Sequence, residues 1–79
     1  MTIYNVLVKD RHSDPEIHNF TLRDVAIDFA REIAQQSCHH EEDYIETNYE
    51  NGKNATDWIL LIEYSREGDY VRVSKGELR

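Results

Sequence analysis

The chain has 79 residues, with 16 acidic and nine basic side chains and a formal net charge of −7 at neutral pH. This length fits one domain and excludes a second, and the charge excludes a basic stripe that binds nucleic acid directly. A single cysteine, Cys38, excludes an intramolecular disulfide, and since the N-terminal residues show no signal-peptide pattern, we expect a cytoplasmic protein.

The first half of the chain predicts one or two strands followed by a helix. Alternating apolar residues predict a strand over residues 2–9, and a turn signal at residues 13–15 precedes a short second strand over residues 16–20. Thr21 and Asp24 have the spacing of a capping box, which predicts a helix from residue 22 to about residue 36. The apolar stripe of this helix is Leu22, Val25, Ala26, Phe29, Ile33 and Ala34.

The second half of the chain predicts three further strands. Residues 43–49 alternate like a half-buried strand, and Asn51-Gly52 is a strong turn signal. Residues 56–65 are apolar on both faces, which favours a central strand. A turn over residues 66–69 leads into the last predicted strand, residues 70–74.

These elements predict an α+β fold with two layers, in the order β(β)αβββ. The helix should cover one face of an antiparallel sheet of four or five strands. We expect residues 70–74 to be an exposed edge that could pair with a second copy, although the net charge favours a monomer. The predicted core is Val6, Val8, Val25, Phe29, Ile33, Leu60, Ile62 and Val71.

Residues 38–51 are the most acidic part of the chain, with five carboxylates and no lysine or arginine. Like charges at this density repel one another, and they persist in solvent, around a cation or against a basic partner. Acidic residues at every fourth helical position form a second line, with carboxylates about 6 Å apart along the axis. Together they predict a face that imitates a nucleic-acid backbone. The residues predicted to bind a partner are Asp28, Glu32, Glu41, Glu42, Asp43, Tyr44, Glu46, Tyr49 and Glu50.

A solvated face that keeps a small protein soluble is the competing interpretation of these acids. It is favoured for the helix line alone, because Arg23 and Arg31 lie close to that line. Tyrosine flanked by carboxylates is a common composition for protein contacts, but strand propensity explains Tyr44 and Tyr49 equally well. Alternation along the strand should turn one of the two toward the core.

Two other functional classes are less favoured by the sequence. Cys38, His39 and His40 include the ligand types of a transition-metal site, but adjacent histidines point in different directions, so a solvated loop is the preferred interpretation. The chain has no glycine-rich phosphate loop and no hydrolase or metalloprotease motif. We therefore expect a protein that is not an enzyme and needs no cofactor.

The organisation of the chain resembles small acidic phage proteins that inhibit type I CRISPR systems. The resemblance rests on the helix TLRDVAIDFAREIAQ, the acidic segment EEDYIETNYENG and a closing hairpin over residues 58–74. It implies an anti-CRISPR inhibitor that acts in the host cytoplasm and mimics DNA to block the DNA-binding surface of the Cascade complex. A ribonucleoprotein, a nuclease or a repressor fits the charge equally well, and a general acidic adaptor remains an alternative.

Overall fold

The computed structural model describes residues 1–49 and 57–77 and confirms the predicted α+β fold, with one helix packed against a five-stranded antiparallel sheet. A short 3₁₀ helix, Glu41–Asp43, links the α-helix to the third strand. The bounds of the other elements are β1 Thr2–Lys9, β2 Glu16–Phe20, α1 Arg23–Ser37, β3 Ile45–Asn48, β4 Trp58–Glu63 and β5 Tyr70–Glu77. The turn predicted at Asn51-Gly52 lies outside the described residues.

The strands are arranged in the order β2-β1-β5-β4-β3, which makes β5 the central strand. It pairs with β1 on one side and with β4 on the other. The prediction that residues 70–74 form an exposed edge is therefore wrong, and β2 and β3 are the edge strands. The pairing of the first strand with the last joins residues about seventy positions apart, and local alternation carries no information about such a pairing.

The covered face of the sheet carries the core. Val6 and Val8 of β1, Val71 of β5, and Leu60 and Ile62 of β4 are all buried, as predicted. These residues lie opposite one another in the register, so they share one face. Phe29 and Ile33 of α1 are partly buried against the same cluster.

The stripe that the helix presents to the sheet matches the predicted one in part: Ala26 and Ala34 are buried as predicted, whereas Leu22 and Val25 are not. Its buried residues are Ala26, Ile27, Ala30 and Ala34. Val25, which was predicted in the core, is 45% exposed, and Leu22 is 63% exposed. Two apolar stripes overlap on this helix, and the one rich in alanine is buried because small side chains allow the backbone to approach the sheet closely.

The predicted capping box is also wrong. Leu22 occupies the N-cap position without a side-chain hydrogen bond, and its carbonyl accepts the first helical bond, from the Ala26 N–H at 3.1 Å. The Asp24 carboxylate accepts a bond from Arg23 at 3.2 Å instead of capping the helix. At the other end, the Cys38 N–H closes the last turn on the carbonyl of Ala34 at 2.9 Å.

The second face of the sheet has no helix on it and is called here the open face. Alternation and register place on it the odd-numbered residues of β1 and the even-numbered residues of β5. Leu61 of β4 lies opposite Arg72 on this face. A bulge between Trp58 and Leu60 shifts the register and places Trp58 opposite Ser74, also on the open face.

Candidate protein-interaction surface

Asp28 and Glu32 lie on the solvent side of α1, because the alanine stripe of the helix faces the sheet. They are one helical turn apart, which separates their positions by about 6 Å along the axis. Glu32 accepts a hydrogen bond from the amide of Gln36 at 3.4 Å. That partner is neutral, so this bond does not place a positive charge beside Glu32.

The 3₁₀ helix presents the next pair of acids, Glu41 and Glu42, and both are exposed. Its backbone is fixed by two bonds, from the Asp43 N–H to the carbonyl of His40 at 2.9 Å and from the Tyr44 N–H to that of Glu41 at 3.1 Å. Three acids in a row suit the N-terminal end of a helical turn, where unpaired N–H groups favour negative charge. The local backbone therefore holds Glu41 and Glu42 in a defined position.

Asp43 differs from its two neighbours. Its side chain is only 12% exposed and accepts a bond from Nε of Arg66 at 2.9 Å. Arg66 belongs to the turn between β4 and β5, so this ion pair attaches the acidic segment to the far hairpin. Asp43 was predicted to bind a partner, but its charge is largely neutralised within the chain by Arg66.

Glu46 also forms hydrogen bonds with other residues of the chain. Its carboxylate accepts bonds from Nε and Nη2 of Arg31 at 3.0 and 3.4 Å, and from the hydroxyl of Tyr44 at 2.7 Å. Burial first, and then the bond to Glu46, raise the pKa of Tyr44 to about 12. Tyr44 packs against the core, so this group connects α1 to the edge strand β3.

The last two predicted residues lie at the end of β3. Tyr49 is half-buried, and its ring meets that of Trp58 edge-on, with centroids 5.6 Å apart. Its backbone N–H donates to the carbonyl of Ile59 at 2.9 Å. Neither Tyr44 nor Tyr49 is a fully exposed contact residue, while Glu50 lies outside the described residues.

The predicted set therefore divides into two groups. Asp43 and Glu46 each hold an arginine of the same chain, whereas four exposed carboxylates have no ion-pair partner among residues 1–49 and 57–77. We call these four the acidic surface: Asp28, Glu32, Glu41 and Glu42. The structure brings Asp28 and Glu32 together on the helix and Glu41 and Glu42 together on the 3₁₀ helix.

Two shallow clefts flank the 3₁₀ helix, and His39 contributes to both. One is lined by Gln35 of the helix together with Cys38 and Glu41. The other contains Glu42 and is lined by Arg11 and Arg66, among others. Both arginines are paired with carboxylates of this chain, Arg11 with Glu67 and Arg66 with Asp43. On this side, the acidic surface is therefore next to arginines whose charge is already neutralised by acids of the same chain.

The possible metal ligands do not converge within the described part of the chain. The Cys38 thiol donates to the carbonyl of His40 at 3.0 Å. No group of three or more histidine, cysteine, aspartate or glutamate side chains in residues 1–49 and 57–77 is placed to hold a metal ion. This segment turns the chain from the helix into the 3₁₀ helix.

The two ion pairs were not predicted from the sequence. Arg31 was recognised only as a neighbour of the acids on the helix, yet it pairs with Glu46, fifteen positions away, across the two layers. Arg66 pairs with Asp43, twenty-three positions away. The acidic composition of residues 38–51 contains no signal for either pairing, because the pairing depends on the strand order.

Comparison with known proteins found no matching protein family, no matching curated protein and no matching solved structure. The helices of residues 1–49 and 57–77 do not include one that is both long and apolar enough to span a membrane.

Proposed function

We propose that this chain is a non-enzymatic inhibitor that docks its acidic surface onto a basic surface of a larger protein, one that normally holds nucleic acid. The observation that carries the proposal is the set of four exposed carboxylates without an ion-pair partner in the described chain: Asp28, Glu32, Glu41 and Glu42. A Cascade subunit is the first partner to test, because the resemblance to anti-CRISPR proteins implies an inhibitor of the Cascade complex.

The proposal is supported by a contrast between two acids that form ion pairs with arginines of the same chain and the four carboxylates of the acidic surface, which do not form an ion pair with any described residue. The chain has arginines close enough to neutralise Asp43 and Glu46. The four carboxylates of the acidic surface face solvent from two backbone elements of fixed geometry. Because the backbone beneath these carboxylates is already ordered, an approaching row of lysine or arginine side chains need not order it, which favours binding.

Such a surface acts mainly through long-range attraction. Complementary charge speeds the association of two proteins, and salt weakens the effect because the screening length is about 8 Å at physiological ionic strength. A basic groove covered in this way is closed to DNA or RNA, which compete for the same cations. The expected result is inhibition by occupation of the groove, without a chemical step.

The test compares two double variants that change the net charge equally. Glu41→Lys with Glu42→Lys alters the acidic surface, and Asp14→Lys with Asp57→Lys alters two exposed acids elsewhere. Asp43 is left intact, because a lysine there would face Arg66 and would destabilise the fold. Each tagged protein is used to capture partners from the native host at low and high salt, and the captured protein is then tested for nucleic-acid binding.

We expect the wild type and the Asp14/Asp57 variant to capture a basic nucleic-acid-binding protein at low salt, and the Glu41/Glu42 variant to lose it. Added DNA or RNA should displace the captured partner. Capture of an acidic partner, or equal capture by both variants, would contradict the proposal. Far-UV circular dichroism of each variant checks that the fold is intact.

A further inference from the structure

The open face is unusually apolar for a sheet surface that faces water. An antiparallel sheet covered on one side normally alternates apolar residues inward with polar residues outward. Here the outward positions of β1 include Ile3 and Leu7, and those of β4 include Leu61. Ile17 of β2 and Ile45 of β3 extend the apolar surface to both edges and are 66% and 53% exposed.

The centre of the open face combines aromatic rings with cations. The guanidinium carbon of Arg72 lies 4.5 Å from the centre of the Trp58 ring, and Nζ of Lys9 lies 5.8 Å from that of Tyr70. Nε of Arg72 is inaccessible to solvent and has no hydrogen-bond partner among the described residues. Tryptophan, tyrosine and arginine are the residues enriched where protein interfaces bind most strongly.

The open face is large enough for a stable interface. Five strands span roughly 24 Å across the sheet, and its eight-residue strands extend about 27 Å. A face of these lengths fits within the two longer molecular dimensions, which are 37 and 27 Å. Specific interfaces remove about 600 to 1,000 Å² from each partner, and a face of about 650 Å² reaches the lower end of that range.

Charge decides which partner fits. Strand residues on the open face include two cations, Lys9 and Arg72, and one anion, Glu63. The acidic surface lies instead on the helix layer and the 3₁₀ helix. Two copies packed through their open faces would hold their helix layers roughly 30 Å apart, since adjacent layers stack about 10 Å apart. That distance is several screening lengths, so repulsion between the two acidic surfaces is largely screened in this arrangement.

We propose that the open face binds the open face of a second copy, which forms a two-fold dimer with the two helices on its outer sides. Lys9 and Glu63 occupy the same row of the sheet, on either side of Tyr70. A two-fold axis parallel to β5 brings Lys9 of each copy over Glu63 of the other and forms two ion pairs. Arg72 lies near the axis and faces Arg72 of the other copy, and the adjacent Trp58 ring offsets part of the repulsion between the two cations.

The first experiment measures molar mass by light scattering and sedimentation equilibrium at micromolar concentrations. We expect twice the chain mass of 9.4 kDa. Leu61→Lys buries a cation in the interface of each copy and should weaken the dimer by about tenfold or more. The matched control is Leu22→Lys, an exposed leucine at the start of α1, which should leave the dimer unchanged.

The second experiment tests the geometry with residues that do not hold the fold together. Lys9 and Glu63 are both exposed. Lys9→Glu alone and Glu63→Lys alone should each weaken the dimer by about tenfold, because each variant places like charges together twice. Mixing the two variants restores both pairs, so the mixture should regain the wild-type affinity as a heterodimer.

The proposal fails if the wild type remains a monomer throughout this range. It also fails if the dimer tolerates Leu61→Lys or if the mixture of charge variants shows no recovery. A dimer that is lost in Leu22→Lys would place the interface on the helix side. The acidic surface shares no residue with the open face, so loss of the dimer would leave the proposed inhibitor function standing.

Discussion

The two faces of the sheet are built from the same strands but from different kinds of residue. The covered face is dominated by valine and isoleucine, with Val6, Ile62, Val71 and Val73 fully buried. The open face mixes leucine, asparagine, serine and charged residues with aromatic rings. Stiff β-branched side chains pack well against an alanine-rich helix, whereas the mixed face has the composition of a surface that binds a partner and also tolerates water.

This contrast separates stability from association. Residues of the covered face determine whether the chain folds, because their burial is complete in a single copy. Residues of the open face should contribute mainly when a second molecule covers them. The same kind of substitution should therefore have different consequences on neighbouring residues of one strand.

The largest expected effect is at Ile62 and Leu61, adjacent residues of β4 that point to opposite faces. Ile62→Ala leaves a cavity in the core and should lower the free energy of unfolding by about 2 to 4 kcal/mol. Leu61→Ala should cost less than about 1.5 kcal/mol in dilute protein, since Leu61 is only partly buried. Urea unfolding measures both.

Protein concentration sharpens this comparison. If the open face is a dimer interface, the cost of Leu61→Ala should grow with concentration, because the wild type gains stability by mass action and the variant gains less. The cost of Ile62→Ala should stay nearly constant. Equal costs for the two variants at all concentrations would contradict the division of roles between the faces.

The second effect is alkaline destabilisation through tyrosines of the covered face. The Tyr64 hydroxyl donates to the carboxylate of Asp10 at 2.9 Å, and burial together with this bond raises the pKa of Tyr64. The pKa of Tyr44 is raised to about 12. Each phenol keeps its proton in the folded state at a pH where the unfolded chain has lost it, so stability is complete below about pH 10 and falls as the pH rises above it.

We expect this fall to be at most about 1.4 kcal/mol per pH unit for each tyrosine. Tyr44→Phe and Tyr64→Phe should each make the stability less dependent on pH between about pH 10 and 12. Urea unfolding across this pH range measures the slope. An unchanged slope in both variants would show that other groups cause the alkaline loss.

Local patterns in the sequence predict the helix and the strands well, but they do not predict which strands lie side by side in the sheet. Alternation predicted the strands. The apolar run around Ile62 was predicted to be a central strand, and β4 does have a neighbour on each side, although β5 is the central strand of the sheet. The position of β5 between β1 and β4 depends on pairing between distant segments, so residues 70–74 were misplaced at an edge. Val25 was expected in the core but is exposed, and Ile27 is buried instead, because the packing of α1 on the sheet decides which side of the helix is covered.

The candidate surface was likewise predictable only in part: the sequence located the acidic residues but not the arginines that pair with them. Composition alone located the acids. The four that are exposed and have no ion-pair partner among residues 1–49 and 57–77 lie on the outer side of two helical segments. The neutralisation of Asp43 and Glu46 depends on arginines brought near by the tertiary structure. A count of charges in a sequence therefore overstates the charge that a partner meets.

The smallest expected effect is at the ion pair between Arg31 and Glu46, which joins the helix to the edge of the covered face. Both side chains are partly exposed, at 45% and 30%, so Arg31→Gln should change the free energy of unfolding by less than about 1 kcal/mol. The substitution releases the charge of Glu46 and should strengthen binding to a basic partner at low salt, but not at high salt. Arg23→Gln, at the first turn of the same helix, changes the net charge equally without touching Glu46. Measuring the affinity for the partner at two salt concentrations distinguishes the two variants. Weaker binding by Arg31→Gln would mean that Arg31 itself contacts the partner.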